Sequence, residues 1–129
     1  MKKIMIIEDL KLHQRKIKDI ILELGHQVSA IFAYGEKAVD YILKENNSPD
    51  LIIIDIILKG EINGYQVAKK ISSETNIPFI ILSSRKDEIE DFEASVYLNK
   101  PFSSQELKNN IELALYKYDI YKKMLKNNE

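Results

Sequence analysis

No cysteine occurs in the 129 residues, which excludes disulfides and thiolate metal sites and suits a reducing cytosol. No apolar stretch approaches the length needed to cross a membrane, and Met1-Lys2-Lys3 leads straight into a short strand-like run rather than a signal core. A basic excess is missing as well. The 19 Lys and Arg against 20 Asp and Glu give a formal net charge of -1, with the lysines spread along the chain. That balance argues against non-specific nucleic-acid binding. Internal repeats, low-complexity stretches and a recognisable linker are also lacking. These absences predict one soluble, cytoplasmic domain of ordinary size, large enough to bury a core without staples.

What is present is a regular alternation. Apolar runs of strand length recur at 4–7, 28–32, 51–54 and 79–82, with a weaker one at 96–98. Helix-period segments lie between them. Leu10, Ile17, Ile20, Ile21 and Leu24 repeat at helical spacing before Gly25, a natural stop. Ala38, Val39, Ile42 and Leu43 mark a second helix ending by Asn46-Asn47-Ser48-Pro49, and Tyr65, Ala68 and Ile71 a third, after the Asn63-Gly64 turn signal. This order predicts an α/β fold of βαβ units with right-handed crossovers and a mainly parallel sheet. Near the C-terminus, Ser103-Ser104-Gln105-Glu106 is a capping box, and Leu107, Ile111, Ala114, Tyr118, Tyr121 and Leu125 then repeat in steps of four and three. A helix running to about residue 126 is about 30 Å long, longer than a sheet of this size requires. Residues 1–118 are therefore expected to form the domain, and 119–129 an extension of the last helix serving as linker or dimerisation segment.

The chemistry gathers at strand ends. Leu51-Ile52-Ile53-Ile54 shows no alternation, as expected of a strand covered on both faces, so the carboxylate of Asp55 must emerge at the sheet rim, where open α/β sheets bind ligands. Ile4-Met5-Ile6-Ile7 likewise ends in Glu8 and Asp9. Carboxylates converging there repel one another unless a cation sits among them, and Mg²⁺, a hard ion taking one or two carboxylates plus water, is the economical answer. Ser83 at the end of the fourth run offers a hydroxyl to a phosphoryl oxygen, and Lys100 after the fifth a compact positive charge.

These residues, with Pro49-Asp50 ahead of the third run, Gly64, Ser84, Tyr97 and Pro101-Phe102, stand in family order. From residue 4 to about 118 the chain resembles a response-regulator receiver domain of two-component signalling. The resemblance implies a doubly wound, flavodoxin-like sheet of five parallel strands in the order 2-1-3-4-5, with the first and third strands at the switch point. It implies Asp55 as phosphoacceptor, attacking a phosphohistidine on a sensor histidine kinase or a histidine phosphotransfer protein. Asp9, Asp55 and the backbone carbonyl of Ile57 would bind Mg²⁺ directly, and Glu8 through water. Lys100 would pair with the aspartate and then with the phosphoryl group, Ser83 would move to bond it, and Tyr97 would be an aromatic switch whose burial follows Ser83. A cis Lys100-Pro101 bond is implied too. The chain is thus expected to be a signalling domain rather than an enzyme, assisting its own phosphorylation and dephosphorylation, without direct contact to nucleic acid or membrane.

Two departures from the pattern stand out. From Ser83 to Lys100 the chain is about one to two helical turns short, which leaves Asp87 to Ala94, with Ile89, Phe92 and Glu93 on one side, as a shortened fourth helix. That shortening puts the usual output face, and Tyr97 as a switch, in question. Leu58-Lys59-Gly60 resembles a Leu-x-Gly variant seen in receivers attached to sensor kinases. Three roles stay open: a stand-alone phosphorelay carrier, the N-terminal receiver of a longer hybrid kinase or regulator, and, far behind, an aspartyl-phosphate phosphatase of the haloacid dehalogenase type. The last requires a second aspartate where Ile57 stands. Plainer readings compete at each residue: Glu8 and Asp9 as helix caps, Ser83-Ser84 as turn residues, Lys100 as a surface lysine, Tyr97 as packing. His13 and His26 are expected at the surface. Neither lies in the His-Glu or His-Asp context of a kinase phosphoacceptor, so the chain receives phosphate rather than donating it.

Overall fold

The computed structural model describes residues 1–84 and 95–127. Five strands, β1 (Lys3–Ile7), β2 (Gln27–Phe32), β3 (Leu51–Asp55), β4 (Phe79–Ser83) and β5 (Ser95–Asn99), form one parallel sheet in the order β2-β1-β3-β4-β5. The helices among the described residues are α1 (Lys11–Glu23), α2 (Gly35–Leu43), α3 (Gly64–Ser72) and α4 (Ser104–Asn127). The segment read as a shortened fourth helix, Asp87 to Ala94, lies outside the described residues.

The unbroken apolar runs follow from the two-sided cover. Ile4, Ile6, Leu51, Ile53, Ile80 and Leu82 point to one face, where Ile17, Ile20 and Ile21 of α1 and Leu107, Ile111, Ala114 and Leu115 of α4 close over them. Their immediate neighbours Met5, Ile7, Ile52, Ile54, Phe79 and Ile81 point to the other, under Ala38 and Ile42 of α2 and Val67, Ala68 and Ile71 of α3. Strand alternation is intact, but both sets are buried and the polar half of the pattern vanishes. Each such side chain contributes about 1.5–3 kcal/mol of burial free energy.

Two of the described helix starts, those of α3 and α4, are fixed by specific bonds. Asn63 and Gln66 form a reciprocal capping box at α3, with Gln66 N–H donating to Asn63 Oδ1 at 2.8 Å and Asn63 N–H to Gln66 Oε1 at 2.8 Å. Ser103 and Glu106 do the same at α4, as the sequence pattern predicts. The α4 stripe differs in one respect: Leu115 is buried beside Ala114, while Tyr118 is only half-buried. Residues 121–127 are exposed, while Asp119 of α4 pairs with Lys2 Nζ, just ahead of β1, at 3.0 Å. The final turns therefore project. None of the described helices is long and apolar enough to cross a membrane.

Candidate phosphoryl and cation site

The parallel register of β1 with β3 pairs Ile7 with Ile54, so the next step along both strands sets Glu8 opposite Asp55. Glu8 continues the β1 ladder, its N–H donating to Phe32 O at 2.9 Å. By the two-residue period it therefore shares a face with Ile4 and Ile6, as Asp55 does with Leu51 and Ile53. That face carries α1. Both carboxyls are buried, Glu8 1% and Asp55 6% exposed.

Asp55 is held from two sides. Its Oδ1 accepts the Ile57 N–H at 3.0 Å, and its Oδ2 pairs with the Lys100 ammonium. Lys100 arrives from β5, which aligns Asn99 with Ser83 of β4; its N–H donates to Ser83 O at 2.9 Å, and the Lys100-Pro101 bond is cis. Ser83 is buried at the same strand end, 2% exposed. Behind Asp55, Gly64 packs so closely that a Cβ there would lie 2.1 Å from the Asp55 carbonyl oxygen. The loop between them is tethered by Glu36, whose Oε1 accepts the N–H groups of Glu61 at 2.9 Å and Ile62 at 3.0 Å.

Glu8 is less well served. Its Oε1 accepts the Leu10 N–H at 3.1 Å, but its buried Oε2 has no hydrogen-bond partner. The Glu8 carboxyl is pushed up to about 8, first by burial, then by the adjoining Asp55 carboxylate, against the opposing Leu10 N–H and Lys100. An orphaned buried oxygen beside a second carboxylate is what a hard divalent ion relieves, and the oxygen-rich donor set fits Mg²⁺.

Of the residues singled out in the sequence, Glu8, Asp55, Ser83 and Lys100 meet at this rim. Asp9 is half-buried and outside the tightest group. Ile57 reaches Asp55 through its N–H and is itself 64% exposed. Tyr97 is half-buried on β5 and packs against the α2–α3 face, and Arg85 lies outside the described residues. One residue was missed. His13, in the first turn of α1, has its Nδ1 3.4 Å from Glu8 Oε1, and ligand atoms of Glu8, His13 and Asp55 all lie within 4.8 Å of one another. His26 instead faces Glu112 at 2.8 Å. A cavity of about 270 Å³ opens next to the site, bounded by Glu8, His13, Lys16, Lys100 and Phe102.

Known proteins share this arrangement of elements. A response regulator receiver domain matches residues 4–112. The transcriptional regulatory protein PdtaR of Mycobacterium tuberculosis is 31% identical over 122 residues, covering 91% of this chain and 58% of its own length. The response regulator ArlR of Staphylococcus haemolyticus is 33% identical over 122 residues, covering 89% and 53%. The chain thus spans little more than half of these curated relatives. Among solved structures, the N-terminal domain of a response regulator/sensory box/GGDEF protein from Carboxydothermus hydrogenoformans superposes with a TM-score of 0.80 at 31% identity, covering 93% of this chain and 98% of that domain. With the sheet order, the acidic strand ends and the lysine after β5 all accounted for, the chain belongs to the response regulator receiver domain family of two-component signalling.

Proposed function

We propose that Asp55 is the phosphoacceptor, taking its phosphoryl group from the phosphohistidine of a sensor histidine kinase or histidine phosphotransfer protein. The observation that carries this reading is the pairing of a buried strand-end carboxylate with Lys100, beside a second buried carboxyl whose outer oxygen has no partner. In the transfer, an Asp55 carboxylate oxygen attacks phosphorus, the phosphorus–nitrogen bond breaks, and the imidazole leaves with a proton. An acyl phosphate remains. Lys100 moves its charge from the carboxylate to the phosphoryl oxygens, and Ser83 donates its hydroxyl to one of them. Asp9, Asp55 and the Ile57 carbonyl would hold Mg²⁺ directly and Glu8 would hold it through water, and the ion would neutralise charge on the phosphoryl oxygens. The catalytic demand is for positioning and charge neutralisation. Hydrolysis of the acyl phosphate by the same groups makes the domain assist its own dephosphorylation.

Tyr97 serves as the residue that reads the state of Ser83. Residues 1–118 act as the receiver, and 119–129 link it to an output segment or to a second copy through Tyr121 and Leu125, which are 41% and 45% exposed. The domain works in the cytoplasm and makes no direct contact with nucleic acid.

The test uses a small phosphodonor such as acetyl phosphate. The wild type is expected to acquire an alkali-labile label only with Mg²⁺ present, and Asp9→Ala to weaken Mg²⁺ binding on the order of tenfold. A label formed equally in excess chelator overturns the reading.

A further inference from the structure

We propose that His13 is a metal ligand, giving the pocket an imidazole–carboxylate–carboxylate donor set with Glu8 and Asp55 that takes borderline divalent ions of the Co²⁺, Ni²⁺ or Zn²⁺ class in preference to Mg²⁺. The inference rests on the divalent-cation reading of the same pocket but adds a residue and a selectivity to it.

Three observations carry it. The donors are preassembled, with His13 Nδ1 3.4 Å from Glu8 Oε1 and ligand atoms of all three residues within 4.8 Å of one another. Ligands about 2.0–2.2 Å from a shared ion stand roughly 3–4.4 Å apart, so the cluster closes around a cation with small side-chain movements. The second is Glu8 Oε2, buried in a residue 1% exposed and without a hydrogen-bond partner. Glu8 Oε1 is already engaged by Leu10 N–H, which leaves Oε2 as the carboxyl atom without a partner. The third is the disposition of the neighbouring cations. Lys100 is bound to Asp55, and Lys16 sits 4.9 Å over the Phe102 ring.

The selectivity follows from ligand chemistry. Mg²⁺ prefers oxygen and holds its waters, whereas imidazole nitrogen favours the later first-row dications. His13 is 44% exposed at its side chain, so the ion has an open route from solvent and retains coordination positions for water or a phosphoryl oxygen. The same imidazole lies 3.4 Å from Glu8 Oε1, so positioning of Glu8 is the competing role that the experiment must separate.

The full chain, stripped of metal, is titrated calorimetrically with CoCl₂ and with MgCl₂ alone, while the visible absorption of Co²⁺ is recorded. Wild type is expected to bind Co²⁺ more tightly than Mg²⁺. His13→Ala should lower Co²⁺ affinity on the order of tenfold to a hundredfold and change the Co²⁺ spectrum, with Mg²⁺ affinity within about twofold of wild type. His13→Gln, closer in size, should repeat the loss, and His26→Ala should leave both titrations unchanged. Unaltered Co²⁺ binding in both His13 variants overturns the proposal. An equal fall for the two ions assigns His13 to positioning Glu8 and also overturns it. Binding of Mg²⁺ without any Co²⁺ preference sinks this inference while sparing the phosphoryl-site reading. Failure of wild type to bind either ion removes both.

Discussion

Asp55→Asn should acquire no alkali-labile label from acetyl phosphate and Mg²⁺ under conditions that label the wild type, a loss on the order of a hundredfold or more. The carboxamide keeps the shape of the side chain but supplies no anionic oxygen to attack phosphorus. It also leaves Lys100 without its carboxylate partner. Equal labelling of the variant would falsify the assignment of Asp55. The same substitution has a second readout that shows whether the variant has folded around the site. Glu8 is raised to about 8 from an ordinary value of 4.5. A group whose folded value is raised gives stability that is full below its unfolded value and is lost as pH rises towards the folded one. In metal-free buffer, wild type should therefore lose stability between about pH 4.5 and 8, with a slope of up to about 1.4 kcal/mol per pH unit. Burial is the largest cause and persists in the variant, but the Asp55 carboxylate beside Glu8 does not. Asp55→Asn should thus end its loss of stability at lower pH, measured as melting temperature against pH. Identical profiles for the two proteins would show that Glu8 and Asp55 are not coupled.

Gly64→Ala should lower stability by about 2–3 kcal/mol and the melting temperature by roughly 10 °C. The added Cβ meets backbone rather than a side chain: 2.1 Å from the Asp55 oxygen, 2.8 Å from its carbonyl carbon and 2.8 Å from Ile56 Cα. No rotamer change relieves that, so β3 and the start of α3 must separate, and the Gly64 N–H bond to Ile56 O at 2.8 Å is strained with them. Because Asp55 is the atom group displaced, labelling should slow even in the fraction that stays folded. Gly25→Ala is the internal comparison. It has φ +83 but nothing within 4 Å of an added Cβ, so its cost should stay near about 1 kcal/mol. Equal costs for the two substitutions would argue against the close approach at Gly64.

The strands were legible because burial on both faces leaves a signature that needs no tertiary information. Ile4 to Ile7 and Leu51 to Ile54 read as covered strands, and both are fully buried. The capping box at Ser103 and the stop at Gly25 were legible for the same reason, being local chemistry. Leu115 was not, since a stripe read in heptad steps has no place for a residue next to Ala114. A helix packing on a broad sheet buries a wider arc than a coiled-coil seam does. His13 escaped for a different reason. It lies between an exposed Leu12 and a half-buried Gln14, and nothing in the pattern says that the first turn of α1 passes over the end of β1.

By itself, then, the sequence determined the α/β class, the strands and the set of charged residues at their C-terminal ends, because hydrophobic period and local capping act within a few residues along the chain. The tertiary structure decided which acid turns inward and what it meets. The Ile7–Ile54 pairing sets Glu8 rather than Asp9 opposite Asp55, the alternation of β1 carries it to the α1 face, and α1 brings His13 to within 3.4 Å. Register between strands separated by a whole crossover is a property of the packed sheet, and a shift of one residue would have sent Asp9 inward instead.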